Sequence, residues 1–104
     1  MSNWTHVAGI IYGGGIDLNS DIYNDVPYGS EGRLNLEVWK NSDKNFIISH
    51  AISVFGDLRD HESAEEIIDW FKGLCNKFII VRDAIIIARN ERNGQAMWVY
   101  KEEQ

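Results

Sequence analysis

The residues able to do chemistry are few, and one short run concentrates them. Asp57-Leu58-Arg59-Asp60-His61-Glu62 places acids, a guanidinium and an imidazole within a few positions. Acids alternating around one Arg suit a self-satisfied ion network that tethers a turn, or an Arg displayed to a carboxylate or phosphate. His61 beside Asp57 or Asp60 could also act as a general acid or base. His6, His50 and Cys75 are the remaining soft donors. None shows the paired spacing of a zinc site, and His61-Glu62 does not extend to an HExxH pattern. Neither a metal nor a cofactor is expected. Cys75 falls on an apolar helical stripe, the place of an inert core thiol rather than a nucleophile.

Two further patterns invite chemistry and fall short of it. Asp17, Asn19, Asp21 and Asp25 resemble the opening of a calcium loop, but Ile22 and Tyr28 stand where its Gly and Glu belong. Turn formation is the better reading of these acids. Gly13-Gly14-Gly15 follows a strand-like run, yet no Lys-Ser/Thr pair and no helix start follow to hold a phosphate. A hinge fits the three glycines better.

Sixteen acidic against ten basic residues give a net charge of −6. Nucleic-acid binding needs a basic footprint that displaces counterions from phosphates, and the scattered Lys and Arg here do not form one. An acidic surface suits solubility or the attraction of a basic protein. The 104 residues, 44% hydrophobic and 25% charged, fit a single domain spanning 1–104. No apolar run approaches the ~20 residues that cross a bilayer. Met1–Gly9 lacks the features of an export signal, and the single cysteine suits a reducing compartment. A cytoplasmic location, without membrane contact, is expected.

The elements that must position these groups follow from periodicity. Trp4–Tyr12 reads as a strand with Val7 and Ile11 on one face and apolar residues on both, hence central or covered on each side. Gly13–Gly32 sustains no period and is expected to be a long, mobile loop. Leu34, Leu36 and Val38 alternate against Arg33, Asn35, Glu37 and Trp39, the pattern of a half-buried strand. Asn41-Ser42-Asp43-Lys44-Asn45 supplies turn chemistry, and Phe46–Phe55 completes a hairpin with Ile48, Ile52 and Val54 inward. Ser63 and Glu66 form a capping box. Behind them Ile67, Phe71, Leu74 and Phe78, widened by Ala64, Ile68 and Cys75, mark the buried face of a helix. Ile79–Arg89 is rich in Ile and Val, as in a strand covered on both faces. Asn93-Gly94 predicts a type I′ turn, and Gln95–Glu102 alternates again, before a solvated tail.

The resulting order β-β-β-α-β-β predicts an α+β fold: an antiparallel-rich sheet of about five strands with one helix on one face. A right-handed crossover would run the fourth strand parallel to the third. Gly29–Gly32, the turn Gly56–His61 and the tip Asn90–Gly94 would then gather at one end. Glu31, Arg33, Asp57, Arg59, Asp60 and His61 are accordingly the candidate binding residues. Trp70 at the edge of the helical stripe and Trp39 on an outward strand face are candidate contact aromatics.

The runs Trp4-Thr5-His6-Val7-Ala8-Gly9-Ile10-Ile11, Tyr28-Gly29-Ser30-Glu31-Gly32 and Phe55-Gly56-Asp57-Leu58-Arg59-Asp60 resemble small proteins of phages and prophages of Gram-positive gut bacteria. That resemblance implies an accessory or counter-defence role in the host cytoplasm and brings no catalytic residues with it. The leading expectation is a non-catalytic binding protein, an acidic inhibitor of a host protein. The alternative is a sponge for a nucleotide or another small anionic metabolite, held between aromatic residues and Arg33 or Arg59. A small hydrolase using His61 ranks third. A homodimer is one expected assembly.

Overall fold

The computed structural model describes residues 3–42, 48–61 and 63–101. Its main sheet has five strands in the order β4-β5-β1-β6-β7, every neighbouring pair antiparallel. In chain order these are β1 (Trp4–Gly14), β4 (Asn35–Ser42), β5 (Ile48–Arg59), β6 (Ile80–Asn90) and β7 (Gly94–Val99). Two short strands, β2 (Tyr28–Gly29) and β3 (Gly32–Arg33), pair in a separate hairpin. One helix, α1 (Ala64–Cys75), lies between β5 and β6 in the chain and packs against β6 and β7. The fold is thus α+β. As the crossover argument requires, β5 and β6 run in the same direction, with β1 inserted between them. Asp43, Lys44 and Asn45 of the expected turn lie outside the described residues.

Local chemistry accounts for the helix. The Ser63 hydroxyl accepts the Glu66 N–H at 3.2 Å, closing one open donor of the first turn. Glu65 and Glu66 set negative charge against the positive end of the helix dipole. Ile67, Ile68, Phe71, Leu74 and Cys75 are buried, as the stripe predicted. The helix ends at Cys75, and Phe78 reaches the core from the turn beyond it. Phe71 meets Trp98 of β7 edge to face, with centroids 5.9 Å apart.

Three sequence readings need correction. The first concerns β6, which was expected to be covered on both faces, whereas β1 is the central strand that its two apolar faces suggested. On β6, Ala84, Ile86 and Ala88 are buried while Ile85 and Ile87 are exposed. A single helix covers one side of the sheet, so a continuous Ile/Val run here does not signal double burial. The second concerns the Gly56–His61 turn, because β5 runs on through Arg59 and the chain turns at Asp60, whose φ is 62°. The third concerns the β6–β7 connection, where Asn90 pairs with Gly94 and three residues form the loop. Asn93 does not take positive φ and Gly94 does, so the turn is not type I′.

Residues 13–34 are built rather than structureless. β1 continues to Gly14, Asn19 caps a 3₁₀ turn at Ser20–Tyr23, and the β2–β3 hairpin follows. Ile16, Ile22, Val26 and Leu34 are buried in the same core as α1. Periodicity missed this segment because its apolar residues are anchored one at a time by turns. Gly13 is required here: a Cβ would collide with the Ile80 carbonyl at the point where β1 and β6 shift register.

This cover contributes to folding, so Ile22→Ala should destabilise the protein by about 2–4 kcal/mol in urea unfolding. A loss below about 0.5 kcal/mol, typical of surface sites, would show that the segment lies outside the cooperative core.

Candidate functional site

The loops that topology sends to one end do meet there, held by a buried polar cluster. Asn90, 2% exposed, donates from Nδ2 to Thr5 Oγ1 at 2.9 Å and to the His61 carbonyl at 3.2 Å. Its Oδ1 accepts the backbone N–H groups of Arg92 and Asn93 at 3.0 and 2.8 Å. The Thr5 hydroxyl also donates to the His61 carbonyl. One amide therefore ties the start of β1, the β6–β7 turn and the β5–α1 connection. The adjacent backbone closes the same end through Asp60 N–H to Asn3 O and Glu91 N–H to Trp4 O.

The expected site residues divide into three groups. Arg59 donates to Glu31 at 3.0 Å and lies 3.8 Å from Asp60, while Ser30 donates to Asp60 at 2.9 Å. These contacts dock the β2–β3 hairpin on the end of β5, reinforced by Ser30 N–H to the Arg59 carbonyl. Gly29 sits so close that a Cβ would strike the Arg59 backbone. Arg33 stacks its guanidinium over Tyr23, 5.9 Å from the ring centroid. Asp57 meets His6, its partner in the β1–β5 register, at 2.6 Å. His61 stands apart from Asp57, with Nε2 3.7 Å from Glu66 and its buried Nδ1 without a hydrogen-bond partner among the described residues.

His6 is the residue that sequence reading passed over. Its Nδ1 meets Asp57, and its Nε2 lies 3.6 Å from Glu91. The Asp57 hydrogen bond, with help from Glu91, raises its pKa above the ordinary 6.5. The group lies on open sheet surface. Only β1–β5 and β1–β6 pairing brings these residues together, so no local spacing could have revealed it. His50 goes the other way, held below 6.5 by burial and, secondarily, by Lys40. Burial pushes the Cys75 thiol up to about 11, which removes the thiolate needed for nucleophilic chemistry. Asp17, Asn19 and Asp21 bond to one another and to the local backbone, as turn-forming residues do.

On the helix side of this end, a cleft of about 440 Å³ opens between the hairpin and α1. Val26, Pro27, Tyr28, His61 and Trp70 line it together with the carboxylates of Asp25 and Glu66. A second hollow of about 330 Å³ continues past Asp25 and Trp70 along α1 toward Leu74 and Lys77. The first cleft is the seam between the two covers of the sheet, the helix and the 13–34 segment. Tyr28 is exposed, Trp70 half-buried, and Asp25 holds φ at 59°. Among the described residues, no Lys or Arg lines the first cleft. Its volume suits a small group, and its aromatic and anionic walls suit a cation. Of the expected site residues only His61 reaches it. Sequence reading marked Trp70 as a contact aromatic and missed Asp25, Tyr28 and Glu66.

None of the known protein families, curated proteins or solved structures matches this chain. The described residues contain no helix long and apolar enough to cross a membrane.

Two outcomes check this geometry. Asn90→Ala leaves the Thr5–His61 cluster short of its donor and should cost about 1–3 kcal/mol in urea unfolding; a loss within ~0.3 kcal/mol would dismiss the cluster as a clamp. For His6, the raised folded pKa adds stability that is complete below the unfolded value of 6.5 and fades as pH climbs through the folded value. The depressed His50 acts oppositely, removing stability as pH falls below 6.5. The difference between the natural chain and His6→Gln should therefore shrink with rising pH above 6.5, and Asp57→Asn should lower the His6 pKa in an NMR titration.

Proposed function

We propose that this protein is a non-catalytic binding protein whose cleft receives a cationic side chain, Lys or Arg, from a basic partner protein. The observation that carries this reading is the lining of the cleft. Tyr28 and Trp70 offer aromatic surface, Asp25 and Glu66 offer carboxylates, and among the described residues no Lys or Arg lines it. A cation entering it gains aromatic contact worth about 0.5–2 kcal/mol and charge-assisted hydrogen bonds worth about 1.5–3 kcal/mol each. The net charge of −6 supports the same partner by speeding encounter with a basic surface.

Arg59, Glu31, Asp60 and Ser30 act in this reading as positioning residues, because their contacts hold the hairpin that presents Tyr28. The anionic-ligand alternative has less support. Arg59 is already engaged by Glu31 and Asp60, and Arg33 by Tyr23. A hydrolase built on His61 was expected to use Asp57 or Asp60, and of these Asp57 faces His6 while Asp60 engages Ser30 and Arg59. The resemblance to phage-borne proteins supports a host protein, met in the host cytoplasm, as the target to be inhibited.

Titration of the ¹⁵N-labelled protein with N-acetylarginine amide, N-acetyllysine amide and a short Arg/Lys peptide tests this. Shifts should centre on Tyr28 and the Trp70 indole and weaken with salt. Asp25→Asn and Glu66→Gln, which keep shape and remove charge, should each weaken the peptide by about tenfold. Unchanged affinity in both variants, or shifts only with phosphate or nucleotides, would overturn the assignment.

A further inference from the structure

The face of the sheet opposite α1 carries an apolar surface that the described chain leaves open. Pairing aligns its side chains in rows. Phe55, Ala8, Ile87 and Met97 form one row, and Ser53, Ile10, Ile85 and Val99 the next. Beyond the second row lie Trp39, Ala51, Tyr12 and Asp83; beyond the first lie Asp57, His6, Arg89 and Gln95. Apart from half-buried Ile10, the large apolar residues of this face are between 37% and 57% exposed. With strands ~4.8 Å apart and ~3.4 Å per residue, the whole face, its polar end rows included, measures roughly 25 by 25 Å. That is on the order of 600 Å² before side-chain relief is counted, close to the ~800 Å² per partner of a stable interface.

We propose that two copies of this chain pack these faces together about a two-fold axis that runs in the sheet plane, across the strands, midway between Ile85 and Ile87. Such an axis lays β6 antiparallel over its equivalent and brings the two apolar rows onto each other. Ile85 of one copy meets Ile87 of the other, and Ile10 meets Ala8. Phe55 stands over Ser53, at the mouth of a hollow of about 490 Å³ lined by Ile10, Tyr12, Trp39, Ala51 and Ser53, with Glu37 and Val38 at β4. The knob and the hole lie on the same face at positions that this rotation exchanges, so each copy fills the other.

Charge sets the same register. Arg89 and Asp83 project from this face on either side of the apolar rows, about 20 Å apart along β6. Neither has an ion-pair partner among the described residues. The axis places Arg89 of one copy against Asp83 of the other, twice per dimer. The alternative two-fold, parallel to the strands, would set Arg89 beside the equivalent Arg89 and Asp83 beside Asp83, which repels. Face-to-face sheets with strands within about 30° of alignment are a common packing, and an isologous interface closes at two copies.

Sedimentation velocity of the full chain over a concentration series reads the assembly directly. The expected result is a species of twice 11.9 kDa. Ile87→Lys should return it to monomer with its circular dichroism unchanged. Arg89→Asp and Asp83→Arg should each weaken the dimer by about tenfold or more, and the double variant should recover to within about threefold. Recovery requires contact between copies, since the two positions are too far apart to meet within one. A monomer at every concentration, a dimer indifferent to Ile87→Lys, or single reversals that the double variant does not rescue would each overturn the proposal.

Discussion

The buried amide of Asn90 is the interaction on which the working end of the molecule depends. Three connections meet there that are remote in sequence: the start of β1, the β5–α1 link and the β6–β7 turn. A buried polar group is tolerated only when its hydrogen bonds are made, and here both the donor and the acceptor side are used. The carbonyl it holds belongs to His61, two residues before the helix cap. The same bond that closes the sheet end therefore sets where α1 begins, and with it the place of Glu66 and Trp70 on the cleft wall.

A second constraint comes from covering five strands with one short helix. α1 packs on β6 and β7, and the rest of the inner face falls to the 13–34 segment through Ile16, Ile22, Val26 and Leu34. Two covers of different origin leave a seam, and the cleft is that seam. The outer face receives no cover from the described chain. The molecule is consequently thin, with a shortest extent of 16 Å, and exposes apolar rows that a second copy can bury.

The charges divide along the same lines. At the hairpin, Arg59, Glu31 and Asp60 neutralise one another and serve geometry. In the first cleft, Asp25 and Glu66 share the lining with aromatic residues and, among the described residues, with no Lys or Arg, and the imidazole of His61 approaches Glu66 only to 3.7 Å. The densest run of chargeable residues in the chain is therefore mostly scaffold, while the more suggestive chemistry sits on residues that no local motif marks.

Much of the fold was legible from residue order. Ser63 with Glu66 announced the helix, and the step pattern from Ile67 to Leu74 announced its buried face, because capping and amphipathicity are local and repeat every turn. Alternation located the strands, and their order with the helix implied which loops converge. What escaped was whatever depends on partners distant in sequence. The Ile-rich β6 looked doubly buried because composition records how apolar a strand is and not how many layers exist to cover it. His6 met Asp57, and Asp25 came to line one cleft with Glu66, through strand register and packing alone. Residue order thus determined the elements and their inward faces, since those follow from interactions a few positions apart. Only the tertiary structure decided which face stayed bare and which acids shared a cleft, because these are set by how few elements must cover one large sheet.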